Sequence, residues 1–221
     1  PLGHTDFAHA IEWRLGRTTI SIMPPHVILA SASPARHTLL LRSGITPEII
    51  VSGIDEETPE LLALGPKELA YELALRKASA INPGRSDGFI IGCDSVFELD
   101  GVAYGKPGTP DVAKERLRQM SGRTGTLHTG HALINIATGK VERALTSTDV
   151  TIVNMSEAEM DAYIATGEPL QVAGAFTIDS LGGPLVASIH GDPSNVEGLS
   201  LPTLRELFAR HGLGWEIFLA H

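Results

Sequence analysis

A chain of 221 residues, 43% of them hydrophobic, can bury a substantial core and is of a size that suits one domain. Its 26 acidic residues against 17 basic ones leave a net charge of −9, which argues against broad binding to a nucleic-acid backbone. No apolar run approaches the roughly 20 residues needed to span a bilayer, and a single cysteine, Cys93, excludes an intramolecular disulfide and fits a reducing cytoplasm.

Residues 1–22 fit no element well and are expected to be a leader or extension outside the fold, with one two-lobed domain over 23–221. The first clear unit is Val27 to Gly44, VILASASPARHTLLLRSG. Val27 to Ala30 read as a buried strand, Ser33 as an N-cap, Pro34 as the first helical residue and Gly44 as the stop. A helix start directly after a strand aims free N–H groups at whatever lies beyond it, which makes an anion site. Arg36 sits in that first turn, on the wrong end of the helix dipole. Either a bound anion explains it, or it is a surface arginine that tolerates the penalty.

Pro47 to Val51 read as a second strand, ending at Gly53-Ile54-Asp55-Glu56-Glu57. Three successive carboxylates form either a solvated acidic loop or oxygen donors for a hard cation such as Mg²⁺. Pro66 to Ile81 form a helix with an apolar stripe of Leu69, Ala70, Leu73, Ala74, Ala78 and Ile81. Lys77 falls near the middle of that stripe. It either snorkels outward or points inward to meet an anion or a carboxylate.

Phe89 to Gly92 predict a buried strand that passes through Cys93-Asp94-Ser95 and continues from Val96 to Leu99. Asp100-Gly101 then turns a hairpin into Val102 to Tyr104. Counting back from that turn sets Lys106 opposite Ser95 and sends Asp94 to the other face, unless Gly105 breaks the register. An aspartate among such hydrophobic neighbours needs a partner or a metal if it is buried. Cys93 reads as a packing residue.

A helix over Pro110 to Met120 precedes two long strands, Thr126 to Ile136 and Val141 to Val153, joined by Thr138-Gly139. Their tight turn implies an antiparallel component in the sheet. His128 and His131 are an odd number of residues apart, so they face opposite sides and make a poor metal pair. Ser156-Glu157-Ala158-Glu159 is a capping box for a helix to Ala165. A strand over Leu185 to Ile189, a polar loop from His190 to Asn195 and a helix from Ser200 to Gly212 complete the pattern.

The stretches LASASPARHTLL, SGIDEE, LALRKA, IIGCDSVFELDGVAYGKP, SGRTGTLHTGHALI, GEPLQVAGAFTID and GDPSNVEGLSLP together resemble the Maf-like nucleoside triphosphate pyrophosphatases, of septum formation protein Maf type. The resemblance implies an α/β fold related to the inosine triphosphatases, a mixed twisted sheet flanked by helices with a central cleft. It implies a divalent cation, Mg²⁺ or Mn²⁺, and hydrolysis of a nucleoside triphosphate to its monophosphate and pyrophosphate. A house-cleaning role on noncanonical or selected nucleotides and a cytoplasmic homodimer follow from the same resemblance.

Carried over by position, Ser31, Ser33 and Arg36 match the family's serine-rich loop, Glu56 its acidic loop and Lys77 its helix lysine. Asp94 matches its essential aspartate and Lys106 the lysine of its GKP turn. The implied catalytic set is Asp94, Glu56, Lys77 and Lys106, with Glu56 and Asp94 as metal ligands. Ser31, Ser33, Arg36, Ser95 and Asp179 are the implied substrate contacts. Three positions that bear on base choice in the family depart from its pattern: Ala35 replaces the first arginine, Ser95 a threonine and Asp179 a glutamine. The alternative reading is a nucleotide-binding regulator of cell division without significant catalysis, which retention of Glu56, Lys77, Asp94 and Lys106 disfavours.

Overall fold

The computed structural model describes residues 11–15 and 18–219. The expected leader falls partly outside the described residues. Its described part is a hairpin of β1 (Ile11–Leu15) and β2 (Thr18–Ile22), which pair with each other and form a sheet of their own.

From there the chain runs β3 (Val27–Leu29), α1 (Pro34–Arg42), β4 (Glu48–Ile49), α2 (Pro59–Leu62), α3 (Pro66–Ser79), β5 (Phe89–Leu99) and β6 (Val102–Tyr104). It continues through α4 (Pro110–Met120), β7 (Thr124–Asn135), β8 (Val141–Ile152), α5 (Glu157–Ala165), three short 3-10 turns, β9 (Val186–His190), α6 (Pro193–Val196) and α7 (Leu201–Arg210). The local signals act as expected. Ser33 accepts the Arg36 N–H, Ser156 and Glu159 form the capping box, and Asp100 and Gly101 both take positive φ in the hairpin turn. The strand expected over Pro47 to Val51 shrinks to two residues at the sheet edge, and Pro59–Leu62 adds a helical turn in the acidic segment.

The strands make one mixed seven-stranded sheet in the order β4-β3-β5-β7-β8-β9, with β6 paired to β5. β4, β3 and β5 run parallel, and every other neighbouring pair is antiparallel. Alternation along β5 sorts the core. Phe89, Ile91 and Cys93 join Leu29, Leu40, Leu204 and Phe208 in a cluster under α1 and α7. Phe97 and Leu99 lie further along the same face, in a second cluster with Leu117, Met120, Tyr163 and Phe176. Ile90 is on the opposite face with Ala74 and Ala78 of α3.

One topological detail positions the site. β7 pairs with one edge of β5 along nearly its whole length, from Phe89 to Glu98. On the other edge β3 pairs only as far as Ile91, and β6 begins at Phe97. Gly92 to Val96 therefore have no ladder partner there, which opens a notch about 20 Å long between the two flanking strands. The serine-rich loop after β3 empties into this notch, at the carboxyl end of a parallel strand where ligand crevices of open α/β sheets form.

Candidate active site

Asp94 lies at the middle of the notch. Helix α3 packs so closely on this face that a Cβ on Gly92 would come within 2.2 Å of the Ala74 carbonyl oxygen. That approach carries Lys77, one turn beyond Ala74, onto the sheet. Its ammonium donates to Asp94 Oδ1 at 2.5 Å and lies 2.8 Å from Glu56 Oε1. Lys77 and Asp94 are both buried, whereas Glu56 reaches in from the exposed acidic loop. The lysine in the apolar stripe thus points inward to carboxylates.

Burial pushes the Asp94 carboxyl above its usual range, and Glu56 pushes the same way; the cations Lys77 and Arg36 pull against them without cancelling the effect. A carboxylate held above its usual range is better matched to taking a proton near neutral pH.

Ser95 points to the opposite face, where α1 supplies Arg36. The Arg36 guanidinium donates from Nε to the Gly198 carbonyl at 2.7 Å, from Nη1 to Ser31 Oγ at 3.1 Å and from Nη2 to Ser95 Oγ at 3.0 Å. Arg36 is only 8% exposed, and all three partners are neutral. Among the described residues no carboxylate lies within ion-pair distance of it. A buried cation satisfied by dipoles alone still favours an anion close by. Ser31 also accepts the Ser33 N–H at 3.2 Å, while Ser33 Oγ caps α1, so both hydroxyls fix the loop.

The site is therefore drawn from five segments, contributing Ser31 and Arg36, Glu56, Lys77, Asp94 and Ser95, and Gly198. Two residues expected there are not joined to it. The β5–β6 ladder stops at Tyr104 because the Gly105 carbonyl is taken by the Arg116 guanidinium and Pro107 has no N–H to give. Lys106 is exposed and makes no hydrogen bond or ion pair among the described residues. Asp179 is likewise exposed, on a loop tied down by Glu168, which accepts from Tyr163 Oη, Thr177 Oγ1 and the Gly182 N–H. Burial pushes Glu168 up, but these hydrogen bonds and that of Ser180 outweigh it and hold the group down at about 2. Cys93 is a buried packing residue whose thiol burial raises to about 11, too high for a nucleophile.

Spacing and periodicity do not single out Glu168. The signal for Asn195 and Gly198 was the stretch GDPSNVEG, whose polar turn residues and glycine mark a constrained loop without saying what it touches.

The donor set suits a hard cation. Two carboxylates converge on one ammonium, and Mg²⁺ is commonly held by one or two carboxylates with substrate phosphates completing its shell. Among the described residues no group of three or more His, Cys, Asp or Glu side chains is arranged to hold a metal by itself, and no helix is long and apolar enough to cross a membrane.

Comparison with known proteins agrees with this architecture. Residues 26–211 match the family model described as "Maf-like protein". A protein of Rhodococcus opacus (strain B4) named "Nucleoside triphosphate pyrophosphatase" is 48% identical over 199 residues, covering 85% of this chain and 92% of its own. Proteins of the same name from Salinispora tropica and Streptomyces avermitilis are each 47% identical, over 196 and 190 residues, covering 86% and 85% of this chain and 86% and 91% of their own. From the notch in the sheet to the match along most of its length, the chain belongs to the Maf-like protein family.

Proposed function

We propose that the protein hydrolyses a nucleoside triphosphate to its monophosphate and pyrophosphate. The observation that carries this reading is the pairing, across one break in the sheet, of a buried arginine without a carboxylate partner and two carboxylates sharing one lysine. The first binds phosphate; the second handles water. The names of the relatives point the same way.

In this reading Arg36, the loop N–H groups and Lys106 hold the phosphate oxygens, concentrating positive charge against an acidic protein. Asp94 accepts the proton of a water that attacks the α-phosphorus. The bond from that phosphorus to the bridging oxygen breaks, and pyrophosphate leaves. Lys77 keeps Asp94 ionised and oriented. Glu56 and Asp94 would hold a divalent cation, Mg²⁺ or Mn²⁺, which when bound supplies charge neutralisation of the phosphate oxygens. The substrates are noncanonical or selected nucleotides, and Ser33, Ser95 and Asp179 are further substrate contacts. The resemblance to the family supports a cytoplasmic location and a homodimer, and light scattering tests the dimer.

Pyrophosphate release across a panel of common and modified triphosphates, with Mg²⁺ or Mn²⁺, tests the activity. Asp94→Asn is expected to lower kcat by about 10²- to 10⁴-fold with the fold intact. Orthophosphate release in place of pyrophosphate, or no turnover across the panel, overturns the reading.

A further inference from the structure

The stretch GDPSNVEGLSLP contributes no side chain to the chemistry above, yet it is anchored to the sheet on both sides of Gly198. Asn195 is fully buried and donates from Nδ2 to the Leu127 carbonyl and to Thr148 Oγ1, both at 3.1 Å, which clamps the turn to β7 and β8. Downstream, the Ser200 N–H donates to His131 Nε2 at 2.9 Å. Burial and the nearby Arg36 cation hold His131 down at about 3, so the ring stays neutral and keeps that acceptor. Between these two anchors lies Gly198, at φ +107°, whose carbonyl accepts the Arg36 Nε–H. A Cβ at Gly198 would come within 3.3 Å of Arg36 Nε.

The hydrogen bonds close into a ring. Arg36 donates to Ser95 Oγ, and Ser95 Oγ lies 3.0 Å from Thr129 Oγ1. Because Thr129 spends its single hydroxyl hydrogen on the Asn195 carbonyl, Ser95 is the donor in that contact. Thr129 in turn donates to the Asn195 carbonyl at 3.5 Å, which also accepts the Gly198 N–H at 2.9 Å. The Gly198 carbonyl then returns the ring to Arg36. Every acceptor is neutral, so the guanidinium is aimed without being neutralised, as an anion-binding arginine requires.

We propose that Asn195 and Gly198 are positioning residues for Arg36: the clamped turn fixes the guanidinium at the notch while leaving its charge for the substrate. The inference rests on the reading of Arg36 as a phosphate ligand. Asn195 acts through Arg36 and touches no substrate.

A double-mutant cycle on kcat/KM for pyrophosphate release tests it, using wild type, Asn195→Ala, Arg36→Ala and the double variant. Asn195→Ala is expected to cost about tenfold with Arg36 present, mainly in KM, and less than about twofold in the Arg36→Ala background. Additive losses overturn the proposal, because a purely structural role would cost the same in both. If Asn195→Ala does not fold, Gly198→Ala takes its place in the cycle. A second readout does not depend on turnover: the Arg36 Nε–H resonance is expected to exchange slowly with solvent in the wild type and at least tenfold faster in Gly198→Ala or Asn195→Ala. Unchanged exchange overturns the proposal even if the enzyme is active. Loss of protection with no effect of Arg36→Ala on turnover would instead overturn the phosphate role of Arg36.

Discussion

Lys77 shows how much one side chain decides. Its ammonium is the common partner of Glu56 and Asp94, and a buried ion pair that loses one member is costly because the other charge remains. Lys77→Met keeps the length and apolar stem while removing the charge. It is expected to lower unfolding free energy by about 3 kcal/mol at pH 7, with most of that loss recovered in Lys77→Met combined with Asp94→Asn, as read by urea denaturation. No recovery would mean that Lys77 acts by packing alone. His131 offers a second residue-scale test. Its ordinary value of 6.5 is held down at about 3 by burial and by Arg36. Below pH 6.5 the unfolded chain takes up a proton there that the folded protein refuses until about pH 3, so this contribution is complete above 6.5 and is lost as pH falls. The thermal midpoint is therefore expected to drop between pH 6.5 and about 5, above the carboxylate range, and His131→Gln is expected to flatten that slope.

At the scale of elements, the seat of α3 on β5 and β7 matters most. A Cβ on Gly92 would fall 2.2 Å from the Ala74 carbonyl oxygen, and one on Gly130 would fall 2.1 Å from that of Ala70. Helix backbone rests directly on sheet backbone at both points, and nothing there can yield as a side chain would. Gly92→Ala or Gly130→Ala should destabilise the protein by about 3 kcal/mol and pull Lys77 away from Asp94, read as a lower thermal midpoint with reduced kcat. Gly105, with open space around its Cβ position and no positive φ, is the control: Gly105→Ala should stay within about 0.5 kcal/mol. Helix boundaries of this kind were legible beforehand. Ser33 and Ser156 each cap the helix that the sequence assigns to them, and Thr109 and Ser200 cap two more, because a cap is a contact within four residues.

For the whole molecule, the functional arrangement comes from where strands stop. β3 is short and β6 joins late, so the long strand β5 is bare along one edge between two hydrophobic clusters. Asp94 and Ser95, adjacent in sequence, open to opposite faces at that gap. Their partners come from α3 on one side and from α1 and the turn before α7 on the other. The carboxylate–lysine cluster and the buried arginine are thereby separated by the thickness of a sheet and meet only at its edge.

The sequence by itself determined the α/β alternation, the caps, the Asp-Gly hairpin, the opposite facing of His128 and His131, and the anomaly of Lys77 within an apolar stripe. These follow from periodicities of 2 and 3.6 residues and from turn chemistry, which act over a few positions. Only the tertiary structure decided that Lys77 meets Asp94 and Glu56, that Arg36 is buried among neutral acceptors, and that Gly198, 162 residues further along, supplies one of them. Those contacts depend on the lengths at which separate strands end and on the closeness with which a helix sits on glycines. Local propensity does not encode either quantity, because each is settled by packing between segments far apart in the chain.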